Sequence, residues 1–203
     1  MKNFRCRWPR RVSVRHTSTG NVRWRARVPL VKPEHNFHEV LRSKTDIQMK
    51  YVVEQGKLDG EEARREDYAG KVADSCYRYV LDVLEHTRPV VKSLSERYKL
   101  VLVSNFYGNI QTILKDFGLV DFFAGIIESS VVGVRKPDPA IYRLGVEAMG
   151  LPAGNVLVVG DSFSKDVVPA KAVGCKVAWL KGEGWGNDEI DEPLPDVIIS
   201  ALP

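Results

Sequence analysis

The architecture can be inferred from one segment, Val156-Leu-Val-Val-Gly-Asp-Ser-Phe-Ser-Lys-Asp166. Its four consecutive apolar residues predict a short strand buried on both faces, since a half-exposed strand would alternate apolar and polar side chains. Gly160 permits a tight exit from this strand, which leaves Asp161 at the strand's tip. Asp166 begins the following helix and can turn back toward the same point. Two carboxylates placed in this way favour a hard cation with oxygen ligands, most simply Mg²⁺.

The chain around this segment alternates short apolar runs with amphipathic stretches from residue 99 onward. Such alternation, with strands that are apolar throughout, predicts a parallel sheet covered by helices on both faces. The predicted fold class is therefore α/β, with a Rossmann-like core over residues 99–203. The predicted strands are 100–103, 125–127, 156–159, 177–180 and 197–199, and the predicted helices are 110–117, 138–149 and 165–173.

Residues 34–98 differ from this core, because apolar residues recur there at helical spacing and no strand is indicated. Helices are predicted over 37–56, 61–86 and 89–98. Pro89 is placed at the start of the third helix, where its missing N–H would have no helical partner in any case. Three helices in succession predict a separate helical unit.

Polar residues follow three of the predicted strands, and we expect them all at one edge of the sheet. Ligands of parallel α/β sheets bind at the carboxyl ends of the strands. Ser104 and Asn105 offer a hydroxyl and an amide for contacts to an oxyanion. Lys136 lies in the loop after the second strand, where its ammonium can neutralise phosphate charge. Asp161 lies at the tip of the third strand, on the same edge.

Each of these residues also has a purely structural explanation. Asp161 and the Ser104-Asn105 pair are typical N-cap residues, and Asp166 and Lys136 are of types that usually face solvent. No single residue separates these alternatives. The order and spacing of the motifs taken together favour a site.

The order of the motifs resembles the haloacid dehalogenase superfamily of phosphohydrolases. The motifs that match run strand–Ser-Asn, then Lys-Pro-Asp-Pro-x-x-Tyr, then strand–Gly-Asp-Ser-x-x-x-Asp, and the resemblance spans about residues 36–203. It implies that residues 34–98 are a helical cap. It also implies hydrolysis of a phosphomonoester on a small phosphorylated metabolite, through an aspartyl-phosphate and with Mg²⁺ as cofactor. The implied roles are catalysis by Ser104 and Lys136, substrate binding by Ser104, Asn105 and Lys136, and metal binding by Asp161 and Asp166.

One motif of this superfamily is missing from the sequence. The superfamily's first motif is a strand ending in Asp-x-Asp, whose first aspartate is the nucleophile, and it should precede the cap. The first aspartate here is Asp46, inside a predicted cap helix with no strand before it. Covalent phosphoryl transfer needs that carboxylate. We therefore expect this chain to bind a cation and phosphate weakly, and to turn over poorly or not at all.

The missing strand also bears on stability. In the superfamily it lies between the strands that end at Ser104 and Asp161, so its absence should leave backbone groups of both neighbours unpaired. Each buried unpaired group costs about 1–3 kcal/mol. The sequence therefore predicts a marginally stable core.

Gly160-Asp161-Ser162 also matches the serine motif of GDS-type esterases, which belongs near the start of a chain. A serine nucleophile at Ser162 would need a histidine base, and the last histidine of the sequence is His86, well upstream. The sequence therefore favours the phosphatase family over an esterase.

The net charge of +4 over 203 residues is the sum of two unlike parts. Residues 1–33 hold two lysines, eight arginines and no acid, whereas the remainder sums to −6. This basic leader has three interpretations. It is a nucleic-acid-binding arm, with Trp8 and Trp24 for base stacking, or an organelle transit peptide, or an out-of-frame translation of residues 1 to about 26. The third is favoured, because the codons of residues 16–25, read one nucleotide earlier, permit an amphipathic helix that runs into the cap.

Composition excludes several classes of protein. The apolar fraction of 44% is enough for a core, so the chain is not intrinsically disordered. No apolar run reaches the roughly 18 residues of a membrane span, and no secretory signal is present. Three scattered cysteines indicate neither a disulfide framework nor a thiolate metal site, which fits the cytoplasm. We expect no membrane partner and no nucleic-acid partner; the alternative to an enzyme is a non-catalytic phosphate- or nucleic-acid-binding module that uses the basic arm.

If residues 1 to about 26 are out of frame, the DNA upstream of codon 26 should encode a strand ending in Asp-x-Asp in another frame. Reading that DNA in all three frames checks the interpretation. Frames that hold no such segment would contradict it.

Overall fold

The structure is a computed structural model, and it describes residues 31–182 and 193–200. The predicted leader, residues 1–33, lies almost wholly outside the described residues. Within that range, Val31 is buried in a hydrophobic cluster. The Pro33 carbonyl accepts a hydrogen bond from the Thr112 hydroxyl (2.7 Å). Residues 31–33 therefore belong with the described fold.

The residues before the core are helical, as predicted. The first helix begins with a capping box, in which Asn36 Oδ1 accepts from the Glu39 N–H (2.9 Å) and Glu39 Oε2 accepts from the Asn36 N–H (2.7 Å). These two bonds satisfy N–H groups that have no partner inside the helix, so they fix its start. The helices are α1 (Phe37–Glu54), α2 (Gly60–Arg65) and α3 (Tyr68–Ser95).

Pro89 lies inside α3, so the predicted break before it is wrong. The short α2 and the 28-residue α3 replace the predicted helices over 61–86 and 89–98. An interior proline removes one helical hydrogen bond and costs about 3 kcal/mol. A tertiary contact offsets part of that cost, because the Arg88 guanidinium donates to the Phe117 carbonyl from Nε (3.2 Å) and Nη2 (2.9 Å). The helix is thus held to the core by the residue next to the proline.

The core contains every predicted strand, with bounds that shift by one residue at most. None of the described helices is both long enough and apolar enough to cross a membrane. The core elements are β1 (Val101–Ser104), α4 (Ile110–Asp116), β2 (Gly125–Glu128), α5 (Ser129–Val132), α6 (Ala140–Met149), β3 (Leu157–Gly160), α7 (Val168–Val173), β4 (Lys176–Leu180) and β5 (Val197–Ile199), with a π-helical turn (Phe163–Val167) before α7 and 3₁₀ turns at Val120–Phe122 and Ala153–Asn155.

The described strands all pair in parallel. β1 pairs with β2, and β3, β4 and β5 form a second sheet in that order. Ser104 lies opposite Glu128 in the first sheet, and Gly160 lies opposite Trp179 in the second. The predicted fold class, an α/β core with parallel strands and an added helical part, is confirmed. That residues 34–98 act as a cap over the site stays a prediction.

β1 and β3 are end strands of these two sheets, and none of the described strands pairs with the other edge of either. The strand that the superfamily places between them is not among the described residues. One face of β3 is also uncovered, since Leu157 is 57% and Val159 53% exposed. Strands of parallel α/β sheets are normally buried on both faces. The second sheet therefore presents apolar surface that a complete α/β core would cover.

One hydrophobic cluster lies under both sheets. Val103 of β1 and Ile127 of β2 pack against a cluster that contains Val177 and Trp179 of β4. Ile141 of α6 belongs to the same cluster and is fully buried. Because the cluster continues from one sheet to the other, side-chain packing joins sheets that share no backbone hydrogen bonds among the described strands.

A second cluster covers the opposite face of the first sheet and attaches the helical part to it. Val40 of α1 and Leu84 of α3 are buried there with Phe117. Leu102 and Ile126, which alternate with the residues of the first cluster, pack against them. The helical part is therefore joined to the core by apolar contacts.

Replacing Pro89 by alanine should raise the free energy of unfolding, since it restores an N–H that can donate to the Glu85 carbonyl. We expect a gain of about 1–3 kcal/mol, measured by urea denaturation followed by circular dichroism. Asp82→Ala, at another exposed position of α3, controls for helix propensity and should change stability by less than about 1 kcal/mol. A less stable Pro89→Ala protein would mean that the contact of Arg88 needs the proline.

Candidate functional site

A buried ion pair links the carboxyl ends of the two sheets. Lys136 Nζ lies 2.7 Å from Asp166 Oδ1, and the two side chains are only 17% and 6% exposed. The Tyr142 hydroxyl donates to the same oxygen (2.6 Å), and the Ser162 N–H donates to Oδ2 (3.0 Å). Both oxygens of Asp166 therefore have partners, which offsets the cost of burying its charge.

The backbone after β3 brings Asp166 to this position. The π-helical turn Phe163–Val167 is capped by Ser162, whose Oγ accepts from the Lys165 N–H (3.3 Å) and whose carbonyl accepts from the Asp166 N–H (2.8 Å). Gly160 is required here, since a Cβ at that position would lie 2.6 Å from Asp166 Cγ. The glycine thus permits the close approach of the carboxylate, beyond the tight exit predicted from the sequence.

The charges of this cluster fix its protonation at neutral pH. Burial by itself raises the pKa of Asp166, but the Lys136 charge and the hydrogen bonds from Lys136, Tyr142 and the Ser162 N–H outweigh it and hold that pKa below its ordinary value. Burial, and then the charge of Asp166, raise the pKa of Tyr142 well above its ordinary value. Asp166 is therefore an anion, and the Tyr142 hydroxyl keeps its proton as a donor.

Asn105 holds the backbone of Lys136 in place. Its Nδ2 donates to the Lys136 carbonyl (3.0 Å), and its Oδ1 accepts from the Lys136 N–H (2.8 Å). Both polar atoms of the predicted oxyanion contact are thus engaged with the loop. In this arrangement Asn105 positions Lys136 at the end of β1.

Ser104 and Asp161 have side chains with no hydrogen-bond partner in the described part of the chain. Ser104 ends β1 and is half-buried, whereas Asp161 follows β3 and is exposed. The backbone of Asp161 is nevertheless fixed, because its carbonyl accepts from Trp179 Nε1 (3.1 Å). The Trp179 ring in turn packs against Phe163, with 5.3 Å between ring centroids.

The predicted site residues therefore fall into two groups. Lys136, Asn105 and Asp166 touch one another directly. Ser104 and Asp161 stand one residue from this cluster, since Ser104 precedes Asn105 and Asp161 precedes Ser162. Their hydroxyl and carboxylate are the side-chain groups available to a ligand.

Two buried side chains of the site are absent from the sequence prediction. The spacing Lys-Pro-Asp-Pro-x-x-Tyr could have indicated Tyr142. In the structure this residue lies on the first turn of α6, and its ring faces Lys136. Glu128 is 4% exposed, and its Oε1 accepts from the N–H groups of Gly108 (2.6 Å) and Ile110 (3.4 Å). Its only signal was an acid at the end of an otherwise apolar strand. Glu128 fixes the loop that follows Ser104.

The donor set for a metal is small. Among the described residues, no group of three or more His, Cys, Asp or Glu side chains is placed to hold a metal ion. Of the predicted pair, Asp161 has an open carboxylate and Asp166 uses both oxygens. Mg²⁺ is usually bound by one or two carboxylates together with phosphate oxygens and water. Asp161 therefore fits as a ligand, with Asp166 in a supporting position.

This chain has a parallel α/β core with polar groups at the carboxyl ends of its strands. Proteins of this class bind their ligands at that edge of the sheet. Within that class the chain is a member of the haloacid dehalogenase-like hydrolases, since the model of that family matches residues 7–174. The resemblance inferred from the motifs is thereby confirmed, and the protein is a hydrolase by family.

Individual relatives agree with this family. The chain is 31% identical to 5-amino-6-(5-phospho-D-ribitylamino)uracil phosphatase YigB of Escherichia coli, over 82% of this chain and 68% of that protein. It is 38% identical to a phosphoglycolate phosphatase of Neisseria gonorrhoeae, over 45% of this chain and 39% of that protein. The chain thus spans only part of the length of both phosphatases. The solved structure of HAD-hydrolase YfnB from Bacillus subtilis is similar in fold, with a TM-score of 0.51 and 20% identity over 83% of this chain and 80% of that one.

Lys136→Met should destabilise the protein, because it leaves the Asp166 carboxylate buried without its counter-ion. We expect a loss of about 3 kcal/mol at pH 7, measured by urea denaturation. The lowered pKa of Asp166 means that the pair contributes fully above the ordinary aspartate pKa of about 4 and loses its contribution as the pH falls through the folded pKa. The difference in the free energy of unfolding between wild type and Lys136→Met should therefore shrink as the pH falls through the folded pKa of Asp166.

Lys171→Met is the matched control. Lys171 pairs with Asp196 at 2.9 Å, but the two side chains are 27% and 39% exposed. Exposed pairs contribute little to stability, so this variant should lose clearly less. Equal losses in the two variants would show that burial does not distinguish the Lys136 pair.

Proposed function

We propose that this chain binds the phosphate group of a small phosphorylated metabolite, in a site of the magnesium-dependent phosphomonoester phosphatase type. The observation that carries the proposal is Lys136, whose ammonium is held by Asp166 and whose backbone is held by Asn105, the residue after Ser104. Membership of a hydrolase family supports it. So do the names of two relatives, each a phosphatase of a small phosphorylated compound.

The phosphoryl oxygens would be bound by Lys136 and Ser104. An ammonium has three N–H donors, of which Lys136 uses one for Asp166, so two remain for phosphate. The Ser104 hydroxyl can donate a further bond. Charge-assisted bonds to phosphate are about twice as strong as neutral ones. Asp166 would act through Lys136, by holding the ammonium in place.

Asp161 would hold Mg²⁺, with Asp166 in support. Its backbone is anchored by the Trp179 side chain, so its carboxylate leaves the strand from a fixed point. Bound Mg²⁺ would share the charge of the phosphoryl oxygens. The open carboxylate of Asp161 and the engaged carboxylate of Asp166 support this division of roles.

Turnover should be slow or absent, because the nucleophile of the family's aspartyl-phosphate route is missing. The first two aspartates of the sequence do not replace it. Asp46 of α1 pairs with Arg42 (3.3 Å), and Asp59 caps α2 by accepting from the N–H groups of Glu61 and Glu62. Both lie in the helical part, where Asp46 forms an ion pair and Asp59 caps a helix.

The missing nucleophile also favours a second candidate, a phosphate-binding module without catalysis. It would use the same Lys136 and Ser104. A nucleic-acid-binding form of this candidate would depend on the ten basic residues of the leader, residues 1–33.

Two free thiols, Cys76 and Cys175, support placing the protein in the reducing cytoplasm.

Calorimetric titration with inorganic phosphate, with and without Mg²⁺, tests the phosphate site. Ser104→Ala should weaken phosphate binding about tenfold under both conditions, as expected for one hydrogen bond to an anion. Asp161→Asn should abolish the effect of Mg²⁺ and leave metal-free binding nearly unchanged. Asp121→Asn, an exposed aspartate in the turn before β2, is the control and should change neither. Phosphate binding that is insensitive to both Ser104→Ala and Asp161→Asn would overturn the proposal.

An assay with a generic aryl phosphate and Mg²⁺ separates the enzyme from the binding module. We expect no turnover above background. Turnover that disappears in Asp161→Asn would show that another group replaces the missing nucleophile. Nucleic-acid binding that weakens with salt and is lost on deletion of residues 1–33 would favour the basic arm.

A further inference from the structure

A cavity of about 280 Å³ opens beside the candidate phosphate site. It lies between the loop that follows β1 and the segment from α5 to Lys136. Its walls carry one cation, two aromatic rings and several small polar groups. The lining residues that matter here are Asn105, Phe106, Tyr107, Ser130 and Arg135.

The cavity shares a wall with the residues proposed to bind phosphate. Asn105 lines it and at the same time holds the backbone of Lys136 by two hydrogen bonds. Arg135 lines it and directly precedes Lys136, while Ser104 directly precedes Asn105. Adjacent residues are separated by about 3.8 Å between Cα atoms. The cavity and the proposed phosphate site are therefore built from neighbouring positions of the same two chain segments.

The charge of the cavity is positive and uncompensated. Arg135 is exposed, and its guanidinium has no hydrogen bond or ion pair to any other residue in the described part of the chain. None of the described residues that line the cavity is acidic. Glu128, the acid that precedes α5, already accepts from the N–H groups of Gly108 and Ile110. A second cation stands nearby, since Lys44 Nζ of α1 lies 4.7 Å from the centroid of the Tyr107 ring.

The walls suit recognition of a small anionic group. The Phe106 and Tyr107 rings, with centroids 5.0 Å apart, form an apolar side. Charged interactions are stronger beside such a surface than in open water. The planar guanidinium of Arg135 matches the two oxygens of a carboxylate or phosphate, and the Ser130 hydroxyl offers a further donor.

We propose that this cavity is a subsite for a second anionic group of the substrate, bound by Arg135 while the phosphate lies at Ser104 and Lys136. The substrate class is a small metabolite that carries a phosphate ester and a carboxylate or second phosphate a few bonds away. This inference rests on the proposed phosphate site, and it adds a determinant of specificity that the motifs do not contain. Arg135 acts on binding and takes no part in phosphoryl transfer.

A matched pair of ligands tests the subsite by calorimetry on the full chain in the presence of Mg²⁺. Phosphoglycolate and ethyl phosphate have the same phosphate ester and nearly the same size, but only the first has a carboxylate. We expect phosphoglycolate to bind about tenfold more tightly, as one charge-assisted pair would give. Arg135→Gln should remove this preference, because it should lower the affinity for phosphoglycolate much more than the affinity for ethyl phosphate. Arg135→Lys, which keeps the charge without the planar fork, should retain part of it.

Arg143→Gln is the control, since Arg143 is an exposed arginine of α6 that does not line the cavity. It should change neither affinity. Equal binding of the two ligands by the wild type, or a preference that survives Arg135→Gln, overturns the subsite and leaves the phosphate site standing. Failure of ethyl phosphate and inorganic phosphate to bind at all overturns the proposed function, and the subsite with it.

Discussion

The ion pair between Lys136 and Asp166 is the contact through which the two halves of the core make one site. Lys136 comes from the loop after the first sheet and Asp166 from the turn after the second. The described strands of these sheets share no backbone hydrogen bonds, so buried side chains have to join them. A buried pair repays its desolvation only if its remaining polar atoms are satisfied. Tyr142 and the Ser162 N–H satisfy those of Asp166, so the buried carboxylate has partners on both oxygens.

The sequence predicts which residues gather at one edge of the core, but it does not assign the contacts among them. Apolar strands followed by polar residues place Ser104, Lys136 and Asp161 at one edge, because parallel strands end on the same side of a sheet. Which of these groups touch depends on backbone detail that no periodicity records. The π-helical turn directs Asp166 toward Lys136, although its spacing from Asp161 had suggested a pair of metal ligands. Asn105, whose amide is predicted to contact an oxyanion, holds the backbone of Lys136 by two hydrogen bonds.

The fold was predictable wherever local pattern and burial agree. All described strands were foreseen within one residue, since each is an apolar run bounded by loop residues. The predicted helix start at Pro89 was wrong, because the helix continues through the proline. The neighbouring Arg88 makes a contact with a residue far away in the sequence. Arg88 binds the carbonyl of Phe117, 29 residues later, and no reading of residues 61–98 alone contains that bond. Glu128 was overlooked for the same reason, because its partners lie in the loop after another strand.

Without the family's aspartate, the proposed phosphate site would differ in charge balance more than in its capacity to hold an anion. The resemblance to the family implies a nucleophilic carboxylate beside the phosphate, with Mg²⁺ to offset their mutual repulsion. Here the described residues nearest the phosphate site carry two cations, Lys136 and Arg135, against the carboxylates of Asp166 and Asp161. The Asp166 carboxylate is neutralised by its ion pair with Lys136, and the Asp161 carboxylate is exposed to water. Under the proposed function, removing one anion would weaken the hold on the metal, since a donor is lost. It would at the same time remove a repulsion that the phosphate would otherwise meet. Under the proposed function, Lys136, Ser104 and Arg135 would still recognise an anionic ligand without the group that performs the reaction.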